Sequence, residues 1–176
     1  MAGHRVSILT FGCRANQYES AMMEHSLRSG AAGSSASGEV YVLNACTVTG
    51  LAERKARQAA RRIRREHPGS PIVVIGCLAD AVEKGLTRFG DADLLAGNAW
   101  KPRIVEVVER VRAGDRGLLP TVAPGPIAEE TSAGSRGRVR AYLKIQDGCA
   151  RACTYCRPTQ VRGAPFSPTK TVGSTG

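Results

Sequence analysis

The feature that most constrains the fold is a regular alternation of short, β-branched apolar runs with segments of helical pattern. Four such runs predict strands, over residues 5–11, 39–45, 71–76 and 92–97. The run at 71–76 (PIVVIG) is apolar without interruption, which is typical of a strand buried on both faces. Strands that alternate with helices predict the α/β class, with a parallel sheet and helices on both faces.

Helices are predicted between and after these strands from apolar spacing and from capping residues. They cover residues 17–30, 49–69, 80–89 and 101–114. Asn16 is the predicted N-cap of the first helix, and Gly30 is expected to follow its end. Pro68 and Gly69 are expected to end the second helix.

Composition divides the rest of the chain. Residues 1–113 are predicted to form one N-terminal domain, and residues 114–137, rich in Gly, Pro, Ser and Thr, are predicted to form a linker. Residues 138–176 are predicted to begin a second domain, with a strand over 139–148 that leads into a cysteine loop. The tail after Cys156, rich in Pro and Gly, is not expected to pack.

The charge of the chain favours a polyanionic partner. The formal net charge is +10, and nucleic acid is the usual partner of a protein this basic. A helical segment over 52–66 concentrates seven of the cations and is the predicted contact with RNA. The alternative is a solvated helix face whose arginines pair with Glu53 and Glu66. The cations are Arg54, Lys55, Arg57, Arg61, Arg62, Arg64 and Arg65.

The chain has no apolar stretch of about 18 residues that would predict a membrane span, and its N-terminus does not resemble a signal peptide. We therefore expect no membrane association and a cytoplasmic location. Thiols are kept reduced in that compartment, so the six cysteines are predicted to bind metal or perform chemistry rather than to form disulfides.

Three of these cysteines occupy equivalent places in successive strand–helix units. Cys13, Cys46 and Cys77 each lie just past the end of a predicted parallel strand. Ligands bind at that edge of open α/β sheets, and nearby helix N-termini favour the thiolate form. The sequence therefore predicts a shared metal or cluster site, although a single free cysteine is often only a small buried side chain.

The other three cysteines form a short C-x3-C-x2-C motif at Cys149, Cys153 and Cys156. A 4Fe–4S cluster normally takes four thiolates, so three would leave one iron open to an exogenous ligand. Zinc with a fourth ligand from elsewhere is the alternative, because structural zinc needs four protein ligands.

Four motifs in order resemble the radical S-adenosylmethionine (SAM) methylthiotransferase family, most closely its threonylcarbamoyladenosine-tRNA branch. They are FGCRANQYES, NACTVTGLAERKARQ, the GC that follows the third strand, and LKIQDGCARACTYC. The resemblance implies an N-terminal domain with an auxiliary 4Fe–4S cluster on Cys13, Cys46 and Cys77. It also implies a second 4Fe–4S cluster, on Cys149, Cys153 and Cys156, that binds SAM, with Tyr155 beside the SAM adenine.

The same resemblance implies radical methylthiolation of a modified adenosine beside the tRNA anticodon, with a reductant such as flavodoxin or ferredoxin. Family members continue much further past the cysteine loop, and Arg157, Pro158 and Thr159 depart from the usual family pattern there. We therefore expect a truncated member with little or no activity as this chain alone. The alternatives are a non-catalytic iron–sulfur electron-transfer protein and a zinc-stabilised basic RNA-binding module.

Overall fold

The protein is described here by a computed structural model that covers residues 5–29, 38–121, 144, 146–151 and 153–165. Its centre is a five-stranded sheet in which all neighbouring strands are parallel and lie in the order of the sequence. The strands are β1 (Val6–Phe11), β2 (Val40–Ala45), β3 (Ile72–Ile75), β4 (Leu94–Ala96) and β5 (Gly117–Leu118). The α/β class with a parallel sheet is confirmed, and so are the four predicted strands.

Five α-helices and one 3-10 helix accompany the sheet in the described residues. They are α1 (Arg14–Ser29), α2 (Gly50–Glu66), α3 (Cys77–Glu83), the 3-10 helix Asn98–Arg103, α4 (Ile104–Arg112) and α5 (Arg157–Arg162). In the same residues, no helix has both the length and the apolar character needed to cross a bilayer.

Helices cover both faces of the sheet because successive strand residues point to opposite sides. Val42 and Val73 face a layer made by α1 and α4, which contribute Met23 and Val107 among others. The neighbouring strand residues, such as Leu43, face α2 and α3 in a second apolar cluster. The sheet is therefore buried on both faces, as a parallel sheet requires.

The structure corrects two predicted helix starts. Asn16 is not an N-cap: α1 begins earlier, at Arg14, and the Asn16 amide instead donates to the carbonyl of Phe11 at 3.1 Å. The third helix begins at Cys77, well before the predicted residue 80. The second helix is confirmed, with Thr49 as its N-cap and an end before Pro68. Gly30 lies outside the described residues.

The sheet also continues past the domain boundary predicted at residue 113. Strand β5 pairs with β4 inside the predicted linker, and Leu119 is buried in the apolar core. The indole N–H of Trp100 donates to the carbonyl of Pro120 at 3.0 Å, which fixes the end of this segment. A strand of two residues, one of them a glycine, gives too short a pattern to be recognised in the sequence. Residues 122–137 lie outside the described part of the chain.

The expectation of an unpacked tail after Cys156 is wrong for residues 157–162. They form α5, which packs on α3 through Val161, a residue buried beside Cys77 and Ala81. Pro158 is compatible with this helix because a proline in the first turn loses no hydrogen bond. The predicted strand over 139–148 falls largely outside the described residues.

Candidate metal centre

The first three cysteines lie together at the carboxyl edge of the sheet. Cys13 follows the end of β1 by two residues, Cys46 follows β2 directly, and Cys77 opens α3 two residues after β3. Since β1, β2 and β3 are neighbours, three positions far apart in the sequence meet at one edge. Cys46 and Cys77 are each 1% exposed, whereas Cys13 is exposed.

Contact between the first two cysteines depends on Gly12. Its φ of +121° is a conformation that favours glycine, and a Cβ atom placed there would overlap the Cβ of Cys46 and lie 3.0 Å from its Sγ. The N–H of Cys46 also donates to the carbonyl of Phe11 at 3.1 Å. The end of β1 is therefore held directly against Cys46.

The thiols of Cys13 and Cys46 interact so that one of them readily ionises. A hydrogen bond from the Cys46 thiol lowers the pKa of Cys13 to about 5. The same hydrogen bond, together with burial, raises the pKa of Cys46. Charge on the nearby Cys77 would also raise the pKa of Cys46, so the sulfur of Cys46 lies within electrostatic reach of both other cysteines. Thiolate is the form of cysteine that ligates metal.

Two N–H donors point at the sulfur of Cys77. The Nδ2 of Asn98 lies 3.3 Å from the Sγ, and the Nε of Arg162 lies 3.1 Å from it. Asn98 is itself held by Asp80, which accepts from its side chain and, at 3.1 Å, from its backbone N–H. Hydrogen bonds of this kind orient metal ligands and tune the potential of a bound cluster.

A buried network of charges lies beside these cysteines. Glu19 of α1, only 4% exposed, forms ion pairs with Lys101, Lys144 and Arg162. Asp147 forms ion pairs with Lys144 and with Arg162, the latter at 2.6 Å. The network therefore joins the sheet domain to the segment that carries the second cysteine motif.

The network contains more positive than negative charge, with three cations around two carboxylates. Burial alone would raise the pKa of Glu19, but the charges of Lys101, Arg162 and Lys144 outweigh it and hold that pKa well below its usual range. Asp147 behaves in the same way, and the two cations that face it keep its pKa low. The charge of Arg162 also lowers the pKa of Cys13, so the network favours a thiolate at this edge of the sheet.

The second motif has a different geometry. Gly148 has a φ of +71°, and a Cβ there would overlap the carbonyl oxygen of Ala164, so a glycine is needed at this position. Asp147 accepts from the N–H of Gly148 at 3.0 Å and so caps this turn. The N–H of Cys149 donates to the carbonyl of Gly163 at 3.1 Å. Cys149, Cys153 and Cys156 are partly exposed.

Tyr155 is 90% exposed, so its ring is open to a ligand. Among the described residues, no three His, Cys, Asp or Glu side chains lie close enough together to share a single metal ion. A cubane cluster takes each thiolate on a different iron, so its ligands lie farther apart than those of one ion. The assignment of the six cysteines as cluster ligands therefore stays a prediction.

The sequence interpretation missed the residues that surround the first trio. Glu19 lies four residues before the buried Met23, so a charged residue on an apolar helix face was the available signal. The contacts that Asn98 and Arg162 make with Cys77 link residues 21 and 85 positions apart, and nothing local marks them. The side chain of Asn44 binds the carbonyl of Asn16, at 2.8 Å, rather than a cysteine sulfur.

The cations of the basic helix α2 differ in whether they form ion pairs with described residues. Four of its arginines form ion pairs within the chain, namely Arg57 with Glu53, Arg61 with Asp91, Arg62 with Glu66 and Arg64 with Asp93. Three exposed cations form no ion pair with another described residue. These are Arg54, Lys55 and Arg65.

Comparison with known proteins places this cysteine-edged α/β domain in a family. The family described as "Uncharacterized protein family UPF0004" matches residues 5–97, more than half of the chain. The threonylcarbamoyladenosine tRNA methylthiotransferase MtaB of Thermotoga maritima is 30% identical over 168 residues, which cover 92% of this chain and 38% of that protein. The tRNA-2-methylthio-N(6)-dimethylallyladenosine synthase of Agrobacterium fabrum is 33% identical over 180 residues, which cover 93% of this chain and 39% of that protein.

The MtaB protein of Rickettsia prowazekii is 31% identical over 159 residues, which cover 90% of this chain and 36% of that protein. The chain belongs to the UPF0004 family, and its resemblance to the tRNA methylthiotransferases is confirmed. It spans less than two fifths of the length of these three relatives.

Proposed function

We propose that this chain carries the cluster-binding part of a tRNA methylthiotransferase, with an auxiliary 4Fe–4S cluster on Cys13, Cys46 and Cys77. One observation carries the proposal. Three cysteines from three neighbouring strands meet at one sheet edge, inside the residues that match the family, and N–H donors point at one of their sulfur atoms. The names of the relatives support tRNA as the substrate.

The residues around the site fit such a cluster. Thiolate is favoured at Cys13, and the adjacent charged network has an excess of positive charge. A cubane core held by three thiolates is an anion overall, so it would balance that charge. The cluster would supply an open iron at which sulfur can be held. The fold would hold the three thiolates at fixed positions, and burial would keep water away from Cys46 and Cys77.

The second motif is assigned the SAM-binding cluster in this proposal. Cys149, Cys153 and Cys156 would hold it, with one iron left for SAM, and the exposed ring of Tyr155 would lie beside the adenine. A small reductant such as flavodoxin or ferredoxin would deliver the electrons. The radical chemistry belongs to the cofactors, while the protein binds and orients them.

Anaerobic reconstitution of the 176-residue chain with iron and sulfide tests the assignment of both trios. We expect iron and sulfide in equal amounts, with about four irons for each cluster. Replacing Cys13, Cys46 and Cys77 with alanine should remove one cluster, and replacing Cys149, Cys153 and Cys156 should remove the other. Addition of SAM should shift the electron paramagnetic resonance signal of the second cluster only.

The alternatives give different outcomes in that experiment. A colourless protein that contains zinc would identify the zinc-stabilised RNA-binding module. Two clusters with no response to SAM would identify the electron-transfer protein. Either result contradicts the proposal.

The exposed cations of α2 are proposed as a tRNA contact. Arg54 and Lys55 lie near the end of α2 that follows Cys46, and Arg65 lies about 16 Å farther along the helix, at 1.5 Å per residue. Replacing all three with glutamine should weaken tRNA binding and lower the slope of log K against log salt by about 2–3.

A matched triple variant controls for the change in net charge. Arg103, Arg110 and Arg116 form ion pairs within the chain, so replacing them with glutamine should leave the salt slope of tRNA binding closer to that of the unmodified chain. Equal effects of the two triple variants would show that binding follows net charge and not the surface of α2.

A further inference from the structure

One guanidinium group contacts both cysteine regions. Arg162 is the last residue of α5, and its side chain is 10% exposed. Its Nε donates to the Sγ of Cys77 at 3.1 Å, and its Nη1 donates to Asp147 at 2.6 Å and to Glu19 at 3.2 Å. Its Nη2 donates to the Oδ1 of Asn16 at 3.3 Å. Asp147 precedes Cys149 by two residues, so one side chain bridges the two trios.

This set of contacts requires arginine. A guanidinium offers five N–H donors in a rigid, planar arrangement, and here they are directed at a thiol, two carboxylates and an amide. A lysine ammonium in the same place keeps the charge but has only three donors at one point. A lysine could therefore not make the same set of contacts, so the bridge depends on arginine.

The backbone that carries Arg162 is fixed from several sides. Val161 is 3% exposed and packs on Cys77 and Ala81. The Nζ of Lys84 donates to the carbonyls of Gln160 and Val161 at 2.8 and 3.1 Å. These contacts hold α5 against α3, the helix that begins at Cys77.

We propose that Arg162 is a positioning residue that fixes the sulfur of Cys77 and, through the same guanidinium, holds the segment of the second cysteine motif at the sheet edge. Loss of this residue then has two linked effects. Helix α5 is held less tightly against α3, so Cys77 loses an N–H donor and part of its packing against Val161.

The metal-free chain provides the first test, with Arg162→Gln. We expect amide hydrogen exchange over 157–165 and alkylation of Cys77 to rise by at least about tenfold, because hydrogen bonds to charged groups contribute on that order. Arg162→Lys should give an intermediate result. The control is Arg157→Gln, a cation on the same helix that contacts the carbonyl of Leu86 and the side chain of Gln160 but, among the described residues, no sulfur. Rates within about twofold of the unmodified chain would overturn the proposal.

The reduction potential of a cluster on Cys13, Cys46 and Cys77 provides the second test, and this arm rests on the proposed function. Removing a positive N–H donor from sulfur should make the potential more negative in Arg162→Gln. Asn98→Ala removes the other donor to Cys77, so it should also lower the potential but leave exchange over 157–165 unchanged. An unchanged potential in Arg162→Gln would contradict the contact with sulfur. Failure of the unmodified chain to assemble a cluster would count against the proposed function alone.

Discussion

The two cysteine trios are held in place by different forces. In the first, the three residues are 33 and 31 positions apart, and β1, β2 and β3 bring them together by their parallel register. In the second, three residues lie within eight positions, and their segment is held by Arg162 and Lys144 through side-chain charges. Apolar burial and backbone pairing therefore fix one site, and ion pairs together with the packing of Val161 dock the other beside it.

This difference predicts which substitutions disturb which region. A change at the sheet edge should affect the first trio, and a change in α5 should affect the second, except at Arg162, which also contacts Cys77. Glu19 is a second exception, because it lies in the sheet domain and pairs with Lys144 and Arg162 of the docked segment. The largest effect is therefore expected at Glu19.

Replacing Glu19 with glutamine should destabilise the chain by about 3–5 kcal/mol, because it leaves buried cations without their carboxylate. Urea unfolding followed by circular dichroism measures this change. Glu24→Gln is the control on the same helix, since the one ion pair of Glu24 with a described residue is an exposed contact with Arg28 at 3.8 Å. A loss at Glu19 as small as that at Glu24 would mean that the network does not join the two regions.

The pH dependence of the unfolding free energy tests the same carboxylate in a second way. Because the pKa of Glu19 in the folded chain lies below its ordinary value of 4.5, ionised Glu19 stabilises the fold fully above that pH. The contribution is lost as the pH falls toward the lower, folded-state pKa. The difference in unfolding free energy between the unmodified chain and Glu19→Gln should therefore be constant near neutral pH and shrink below about pH 4.5. A difference that grew on acidification would contradict this assignment.

Gly12→Ala should disturb the first trio alone. The φ of +121° is strained for alanine, which costs about 1–3 kcal/mol, and its Cβ would overlap Cys46. We expect lower unfolding free energy and poor cluster assembly on Cys13, Cys46 and Cys77, with hydrogen exchange over 157–165 little changed.

Gly50→Ala is the matched control for that substitution. Gly50 has no positive φ, and a Cβ there would meet no atom of the described residues within 4 Å. The change should be neutral or slightly stabilising, as expected for alanine at the start of a helix. Equal losses at both glycines would show that the sheet edge places no special demand on Gly12.

The fold was largely predictable because its signals are periodic and local. Strands such as β3 are continuous apolar runs, and α2 has a stripe of small apolar residues that ends before Pro68. Strand β5 and helix α5 were not recognised because two and six residues are too few to show a period. Their positions depend on tertiary contacts, such as the burial of Leu119 and Val161.

The meeting of the first three cysteines at one sheet edge was predictable, but their surroundings were not. Cysteines after successive strands, such as Cys13 and Cys46, identify an edge because parallel strands end on the same side. The partners of Glu19 lie 82, 125 and 143 positions away, so no spacing rule reveals them. Charged networks of this kind become visible only when the fold brings their members together.

Val161→Ala should loosen the second region and leave the sheet intact. Two buried carbon groups are lost between α5 and α3, which at about 0.8 kcal/mol each corresponds to about 1–2 kcal/mol. The expected result is faster hydrogen exchange over 157–165 with an unchanged unfolding transition of the sheet. Val48→Ala is the control, because Val48 is 41% exposed. If the amides of α5 exchanged no faster in Val161→Ala, ion pairs alone would hold this helix in place.

Arg62→Gln should have the smallest effect, although it also removes a charge from an ion pair. Arg62 and Glu66 are both 57% exposed and 3.8 Å apart on α2, and exposed pairs of this spacing contribute about 0.3–0.5 kcal/mol. Added salt should erase even that difference, since solvent ions screen exposed charges. The Glu19 network should resist the same salt because its members are buried. The two variants can be compared directly by their loss of unfolding free energy and its dependence on salt. Similar values for Arg62→Gln and Glu19→Gln would show that burial does not make the Glu19 network stronger than the exposed pairs of α2.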